Sequence, residues 1–132
     1  SRFPSPAHKD TAMTAAEVAA KFYALVSEEK EAEAKQLWSD DVVSYESDPN
    51  SPFSVCRGRE EVEKKHEWWY ANAEIHEVKT EGPFVHGEQF AVIYEIDCTM
   101  KEFGRSRMSE IGLFTVADGK IIEERFFQTP MG

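Results

Sequence analysis

The stretch that decides the fold runs from residue 109 to residue 127 and reads SEIGLFTVADGKIIEERFF. Apolar, strand-forming residues flank Asp118-Gly119, a dipeptide typical of a tight turn between antiparallel strands. The stretch therefore predicts a β-hairpin. Its strands are unusually charged, which is compatible with a solvent-facing surface, a subunit interface or a polar pocket. The charged residues are Glu110, Glu123, Glu124 and Arg125.

Alternation with a period of two extends from the hairpin back to Glu74. The segments IHEVKTE, EQFAVIYEIDCTM, RSRMSEIGLFTV and KIIEERFFQ read as four strands of a meander within residues 74–128. The predicted breaks between the strands are Gly82-Pro83, Gly87, Gly104 and Asp118-Gly119.

Helical patterns come before these strands. Thr14 and Glu17 have the spacing of a capping box, and the apolar residues after them predict a helix over about residues 14–29. KEAEAKQLW continues helically until SDD ends it, and VVSYES alternates as a short strand. Pro49 and Pro52 bracket a loop. Helices followed by a run of long strands are typical of an α+β fold.

A third helix is predicted after Gly58, in REEVEKKHEWWYANA. Val62, His66 and Trp69 share its predicted inward stripe. Lone His and aromatic residues on such a stripe are common wall residues, although His66 beside a carboxylate could also serve as a proton shuttle. The predicted solvent-facing residues are Glu60, Glu61, Lys64 and Lys65.

Composition limits the classes of function. A chain of 132 residues fits one domain, predicted at residues 14–132 after a leader or artificial segment at residues 1–13. Asp and Glu outnumber Lys and Arg by 25 to 15, and the net charge of −10 excludes a nucleic-acid partner. No apolar run is long enough for a membrane helix, and no secretory signal is recognisable, so a cytoplasmic location is expected.

Known chemical motifs are absent from the sequence. It has no GxSxG, no Gly-rich phosphate loop and no P-loop, which excludes triad hydrolases and nucleotide enzymes. The histidines and cysteines lack the spacing of metal ligands, so neither a metal nor a cofactor is predicted. Cys56 and Cys98 are expected to be reduced thiols, with a disulfide as the alternative.

The order of these motifs resembles the nuclear transport factor 2-like superfamily, and its SnoaL-like branch in particular. The resemblance covers about residues 14–128 and rests on SDDVVSYESDP after two helices, GREEVEKKHEWW at the third, and the final DGKIIEERFF hairpin. It implies a cystatin-like α+β cone, in which three N-terminal helices pack on a strongly curved, mainly antiparallel sheet. It also implies a pocket at the open end and a homodimer formed through the outer face of the sheet.

Ketosteroid isomerase, a relative of known chemistry, uses a carboxylate base with a Tyr and a protonated Asp as oxyanion donors. The resemblance carries the base to Glu46, or to Asp48 if the strand bulges. The Tyr position falls on Phe22 and the acid position near Gly112, neither of which can donate a hydrogen bond from its side chain. Steroid isomerisation by that mechanism is therefore not expected.

Strand parity supplies other polar groups for the face that the resemblance turns inward. Desolvation of Glu110 among apolar neighbours would raise its pKa into a catalytically useful range. Glu123, Arg125 and Phe127 are expected to face outward, and Asp97 lies opposite Tyr94. The predicted catalytic residues are Glu46, Asp48, His66 and Glu110, and the predicted pocket-lining residues are Phe22, Trp69, Tyr94, Met108, Gly112, Phe114, Glu124, Phe126 and Gln128.

Together these features predict a pocket for a small hydrophobic ligand or substrate. The leading hypothesis is a cofactor-free isomerase, cyclase or lyase that uses carboxylates and His66 to move protons on a hydrophobic carbonyl compound. The alternative is a ligand-binding or dimeric assembly module with the same fold and no chemistry. A transport adaptor has no motif in its favour.

Overall fold

The computed structural model describes residues 12–131, which form three α-helices, a 3₁₀ turn and six strands. Residues 1–11, which hold most of the predicted leader, lie outside this description. The helices are α1 (Ala15–Ser27), α2 (Glu31–Ala34) and α3 (Arg59–Asn72), and Lys35–Leu37 is the 3₁₀ turn. The strands are β1 (Trp38–Tyr45), β2 (Val55–Arg57), β3 (Ala73–His86), β4 (Gln89–Met100), β5 (Gly104–Ala117) and β6 (Lys120–Pro130).

The six strands form one curved sheet in the order β2-β1-β6-β5-β4-β3. β1 and β6 are parallel, and the other neighbouring strands are antiparallel. α1 packs against β3, β4 and β5, whereas α3 packs against β1 and β2. The predicted α+β class, with helices on a mainly antiparallel sheet, is confirmed.

The N-terminus of α1 is fixed by the predicted capping box. The Glu17 backbone N–H donates to Thr14 Oγ1 at 3.1 Å, and the Thr14 N–H donates to Glu17 Oε1 at 2.9 Å. These bonds satisfy two donors that the first helical turn would otherwise leave without partners.

An aromatic cluster fills the space between α1 and the sheet. The Phe22 ring lies 4.7 Å from the Phe114 ring and 5.7 Å from the Phe90 ring, and the latter two are stacked at 4.9 Å. All three residues are buried. Phe22, predicted to line a pocket, therefore lies in the closed part of the core.

Two strands differ from the sequence prediction. β1 begins at Trp38 instead of Val42, because Trp38 already pairs with Ile121 of β6, ahead of a register shift between Trp38 and Val43. Gly82-Pro83 was predicted to end a strand, but β3 continues past it, with its pairing register shifted between Glu81 and Phe84. Proline is tolerated there because β3 is an edge strand, where a missing N–H costs no ladder bond.

Cys56 and Cys98 are both free and buried.

In the described part of the chain, no helix is both long and apolar enough to cross a bilayer.

Candidate active site

Three rows of directly paired residues cross the inner face of the sheet. Residues that pair directly opposite one another project to the same face, and successive rows on one face are about 7 Å apart. The first row holds Ser44, Glu124, Phe114 and Phe90; the second holds Phe126, Gly112 and Val92; the third holds Gln128, Glu110 and Tyr94. The inward placement predicted for Glu110 and Glu124 agrees with this register.

A charged cluster sits where α3 crosses the first row. Lys65 Nζ hydrogen-bonds to Ser44 Oγ, and to Glu46 Oε2 at 2.7 Å. Ser44 donates in turn to Glu124 Oε2 at 2.7 Å, and Lys65 Nζ lies 3.9 Å from that same oxygen. We call Ser44, Glu46, Lys65 and Glu124 the Lys65 cluster.

The burial of Lys65 corrects the sequence prediction, which placed this residue on the solvent face of α3. Only 7% of Lys65 is exposed, and its Nζ lies 4.9 Å from the centre of the Phe126 ring. The two carboxylates and the ring face stabilise an ammonium group that would otherwise be costly to bury. Lys65 follows buried Val62 by three positions, and that spacing was the available indication that it faces inward.

Glu124 is buried to 1% exposure within the cluster. Burial raises the pKa of its carboxyl group, while the charge of Lys65 and the hydrogen bond from Ser44 oppose that rise. The indole N–H of Trp38 is also buried, and it makes no hydrogen bond of good geometry within residues 12–131. It nevertheless lies close enough to Glu124 to have a small lowering effect on that pKa.

Glu110 lies in the third row and accepts a hydrogen bond from Gln128 Nε2 at 3.0 Å. Burial, followed by the charge of Glu46, raises the pKa of Glu110 to about 7, against the opposing effects of Gln128 and Lys65. Part of the residue surface is exposed at the rim of the sheet, where solvent screens the neighbouring charges and limits the rise. Glu110 is thus a carboxyl group that titrates close to neutral pH.

Tyr94 is the direct partner of Glu110 on β4. Burial, followed by the charge of Glu110, raises the pKa of its hydroxyl group above the ordinary value for tyrosine. The phenol therefore stays protonated at neutral pH and is able to donate a hydrogen bond.

His66 lies on the other side of the cluster from Glu110. Its ring meets the Trp38 ring edge-on, with the centroids 5.0 Å apart. Burial and the charges of Lys65 and Lys35 lower the pKa of His66 to about 4. It is therefore neutral at pH 7, and its charged neighbours are cations instead of the carboxylate that a shuttle needs. The arrangement fits a wall residue better than the predicted proton shuttle.

Asp48 was predicted as the alternative base and lies away from the cluster. It is exposed in the loop after β1, where its Oδ1 accepts a 2.9 Å hydrogen bond from the Asn50 N–H. This local turn bond holds the side chain in the loop. Of the two candidates, Glu46 is the one that reaches the site.

Gly112 allows two aromatic rings to approach the sheet. A Cβ atom at this position would lie 2.9 Å from the Phe114 ring and 3.2 Å from the Phe126 ring. The Phe114 and Phe126 rings meet edge-on at 6.0 Å and form an apolar surface between Glu110 and the Lys65 cluster. Trp69, Tyr94 and Met108 are half-buried, and Gln128 is exposed at the rim.

The two best-defined cavities among the described residues lie away from this site. One, of about 340 Å³, lies beside the start of α1 and the turns near Gly87 and Gly119. The other, of about 250 Å³, lies between the end of α3 and Thr99. The polar groups of the site contact one another and the apolar rings. Within residues 12–131, no group of three or more His, Cys, Asp and Glu side chains is arranged to hold a metal ion.

The outward-facing residues of β6 form separate pairs. Arg125 bonds to Glu123 at 3.1 and 3.2 Å and lies 4.0 Å from the Tyr45 ring centre. On β4, Asp97 accepts two hydrogen bonds from Arg105 at 2.9 and 3.1 Å. These charges agree with the predicted outer or surface positions and are not part of the site.

Residues 13–128 match the model of the SnoaL-like domain family. The chain belongs to this family, which confirms the resemblance seen in the sequence. No curated protein matches the chain.

Solved structures with the same fold include a Mesorhizobium loti protein provisionally named a SnoaL-like polyketide cyclase and also a carbohydrate phosphatase. It is 43% identical, the match covers 87% of this chain and 99% of that one, and the TM-score is 0.83. A nuclear transport factor 2-like protein from Burkholderia thailandensis is 15% identical over 89% and 92% of the chains, with a TM-score of 0.76. A Bacillus subtilis protein provisionally named an isomerase is 19% identical over 89% and 91%, with a TM-score of 0.68. The latter two share the fold alone.

Proposed function

We propose that this protein is a cofactor-independent enzyme that moves a proton on a small hydrophobic carbonyl compound, in an isomerase, cyclase or lyase reaction. The observation that carries the proposal is Glu110, a carboxyl group with a pKa of about 7 on the same inner face as the Lys65 cluster. Because such a group is about half ionised at neutral pH, it is able both to accept and to donate a proton.

The proton transfer would begin with the ionised form of Glu110. Its carboxylate takes a proton from the carbon next to a carbonyl group, and the C–H electron pair becomes a C=C bond. The carbonyl π electrons move to oxygen and give an enolate. In an isomerase, the protonated Glu110 then returns its proton to another carbon. In a cyclase, the enolate carbon attacks a second carbonyl carbon, the π electrons of that carbonyl move to its oxygen, and the resulting alkoxide takes the proton from Glu110.

The apolar surroundings favour a hydrophobic substrate. Half-buried Phe126 and Tyr94 border Glu110 and the Lys65 cluster and would cover the carbon skeleton of a ligand, with buried Phe114 packed behind Phe126. The provisional name of the Mesorhizobium loti relative supports the same class, because polyketide cyclisation acts on carbonyl compounds. Exposed Gln128, which holds Glu110 at the rim, is the side chain expected to move when a ligand enters.

Proton exchange provides a direct test without knowledge of the natural substrate. 2-Tetralone, a bicyclic ketone, is incubated with the protein in deuterated buffer at neutral pH, and NMR follows loss of its α-protons. Wild-type protein should accelerate exchange, and Glu110→Gln should lower the accelerated rate at least tenfold. Glu123→Gln, an outer-face change on the neighbouring strand, should leave the rate unchanged. Exchange no faster than in buffer would contradict the proposal.

The second candidate is a ligand-binding module with the same site and no chemistry. It is supported by the Lys65 cluster, whose polar atoms hydrogen-bond mainly to one another. A binding module should retain affinity for 2-tetralone, measured by calorimetry, while both the wild type and Glu110→Gln leave its exchange rate at the buffer value.

We also propose that two copies pair through the outer face of the sheet. Ile93, Ile111 and Phe127 form a directly paired apolar row there, and 43% of Ile111 and 51% of Phe127 are exposed. Glu123 and Arg125 lie beside this row, so the face carries both signs of charge. A two-fold arrangement is able to pair such a surface with itself.

A further inference from the structure

Lys65 has a hydrogen-bond donor without an acceptor in the described part of the chain. A lysine ammonium group has three N–H donors, and Ser44 Oγ and Glu46 Oε2 accept two of them. Glu124 Oε2, at 3.9 Å from Nζ, attracts the charge but is beyond hydrogen-bond distance. Because the residue is only 7% exposed, bulk water has little access to the third donor.

The amine lies within reach of the group proposed to move protons. Its Nζ lies 4.9 Å from the centre of the Phe126 ring, and Phe126 occupies the row next to Glu110. The Lys65 cluster lies on the first row and Glu110 on the third, with the Phe126 ring of the second row between them. A ligand that lies along this ring is therefore able to meet both groups.

We propose that Lys65 binds the oxygen atom on which negative charge develops when a proton leaves the neighbouring carbon. The inference rests on the proposed function and names the ligand class: an enolisable ketone, or a phenol with one oxygen on an apolar ring. A hydrogen bond from an ammonium group to a developing oxyanion is stronger than one to a neutral carbonyl, and it therefore favours the enolate. Lys65 would supply the hydrogen bond to the oxyanion that Phe22 and Gly112 cannot donate from their side chains.

The partners of Lys65 have different parts in this arrangement. Ser44 and Glu124 are fully buried and contact the amine on its interior side. The Glu46 side chain is 20% exposed and contacts the amine on the solvent side. Glu46 neutralises part of the Lys65 charge that would otherwise act on the ligand oxygen. Removing Lys65 and removing the charge of Glu46 should therefore have opposite effects on a bound oxyanion.

The test uses 2-naphthol, an apolar phenol whose neutral and ionised forms differ in absorbance. Bound to wild-type protein, it should have a pKa at least one unit below that of free 2-naphthol. Lys65→Met should abolish the decrease, Glu46→Gln should enlarge it, and Lys64→Met, at the exposed neighbouring position, should leave it unchanged. Glu110 and Glu124 also face the site, and their charges act on the bound ligand too. All proteins are therefore titrated over the same pH range, so that these charges contribute equally to each measured pKa.

Three results would overturn the inference: no binding of 2-naphthol, binding without a decrease in its pKa, or the same decrease in Lys65→Met. If Lys65→Met does not fold, Glu46→Gln provides the test. A decrease in the pKa of 2-naphthol that is no larger in Glu46→Gln than in the wild type contradicts the inference. The experiment also separates the two proposals. If the pKa of 2-naphthol decreases in a Lys65-dependent way but 2-tetralone exchange is not accelerated, Lys65 binds the oxygen atom and the enzyme proposal is refuted. If exchange is accelerated but the pKa of 2-naphthol does not decrease, only the role of Lys65 is refuted.

Discussion

Ser44 and Glu124, 80 residues apart in the chain, are direct partners in the parallel pairing of β1 with β6, and Ser44 Oγ donates a 2.7 Å hydrogen bond to Glu124 Oε2. Lys65 adds its own hydrogen bond to the same hydroxyl group. One serine thus connects an ammonium group on a helix with a carboxyl group on the sheet. The position of the amine depends on this single hydroxyl as well as on the charges.

Ser44→Ala should lower the free energy of unfolding by about 1–3 kcal/mol, because Glu124 and Lys65 each lose a hydrogen-bond partner in a buried place. Urea unfolding followed by circular dichroism measures the change. Ser47→Ala, at an exposed position in the following loop, should change the value by less than about 0.5 kcal/mol. Equal effects of the two substitutions would show that the buried bond contributes little.

The rate of 2-tetralone exchange should rise with pH through about 7 and then level off, because only the ionised form of Glu110 accepts a proton. Initial rates in buffers from pH 5 to pH 9 give the profile. Glu110→Gln should give a low rate without this inflection. An inflection that persists in Glu110→Gln would assign the titration to another group.

Glu110 and His66 should affect stability in opposite directions as pH changes. The folded pKa of Glu110 is raised from 4.5 to about 7, so its stabilising contribution is complete below pH 4.5 and is lost as pH rises through 7. The folded pKa of His66 is lowered from 6.5 to about 4, so its contribution is present above pH 6.5 and is lost as pH falls through 4.

Thermal unfolding between pH 4 and pH 8 separates these two contributions. Relative to wild type, Glu110→Gln should become more stable as pH rises from 4.5 to 7, because it lacks the destabilising ionisation. His66→Phe should lose less stability than wild type as pH falls from 6.5 to 4. Parallel curves for all three proteins would refute both assignments.

Gly112→Ala should lower the free energy of unfolding by about 1–3 kcal/mol, because the new methyl group overlaps the Phe114 and Phe126 rings. It should also weaken binding of 2-naphthol by displacing these rings. Ser109→Ala, on the same strand, is the control and should be nearly neutral in both urea unfolding and binding. A neutral Gly112→Ala would mean that the rings have free space into which to move.

Phe127→Glu should convert the proposed dimer to a monomer at micromolar concentration, because it places a charge in the apolar outer row. Light scattering measures the mass. Phe103→Glu is the matched control, since Phe103 is 80% exposed in the β4–β5 turn. A wild-type monomer, or a dimer that survives Phe127→Glu, would contradict pairing through this face.

Strand alternation and the turn residues were sufficient to predict the meander and the inner face of β5 and β6. They could not reveal that β1 starts at Trp38, because a strand that contains Asp40 and Asp41 does not alternate clearly. Short β2 was missed, since its pairing with β1 is decided by tertiary contacts.

The site was predicted only in part. Resemblance and parity placed Glu46 and Glu110 toward the inner face of the sheet, whereas the helical pattern assigned Lys65 to the solvent face. Its burial depends on Glu46 and Glu124, which come from distant parts of the chain, and sequence spacing on one helix contains no information about such partners. The helical pattern placed His66 on the inward stripe with Val62 and Trp69, and it placed Lys65 on the solvent face.

The parallel pairing of β1 with β6 also determines when the site is able to form. During synthesis, α1, α3 and the first hairpins are made while Glu124 is still missing, and Lys65 then lacks its buried carboxylate. Contacts between segments so far apart in sequence form slowly, because a long loop must close first. The Lys65 cluster therefore forms only once β6 docks beside β1, and a chain that ends before β6 lacks the carboxylate that completes it.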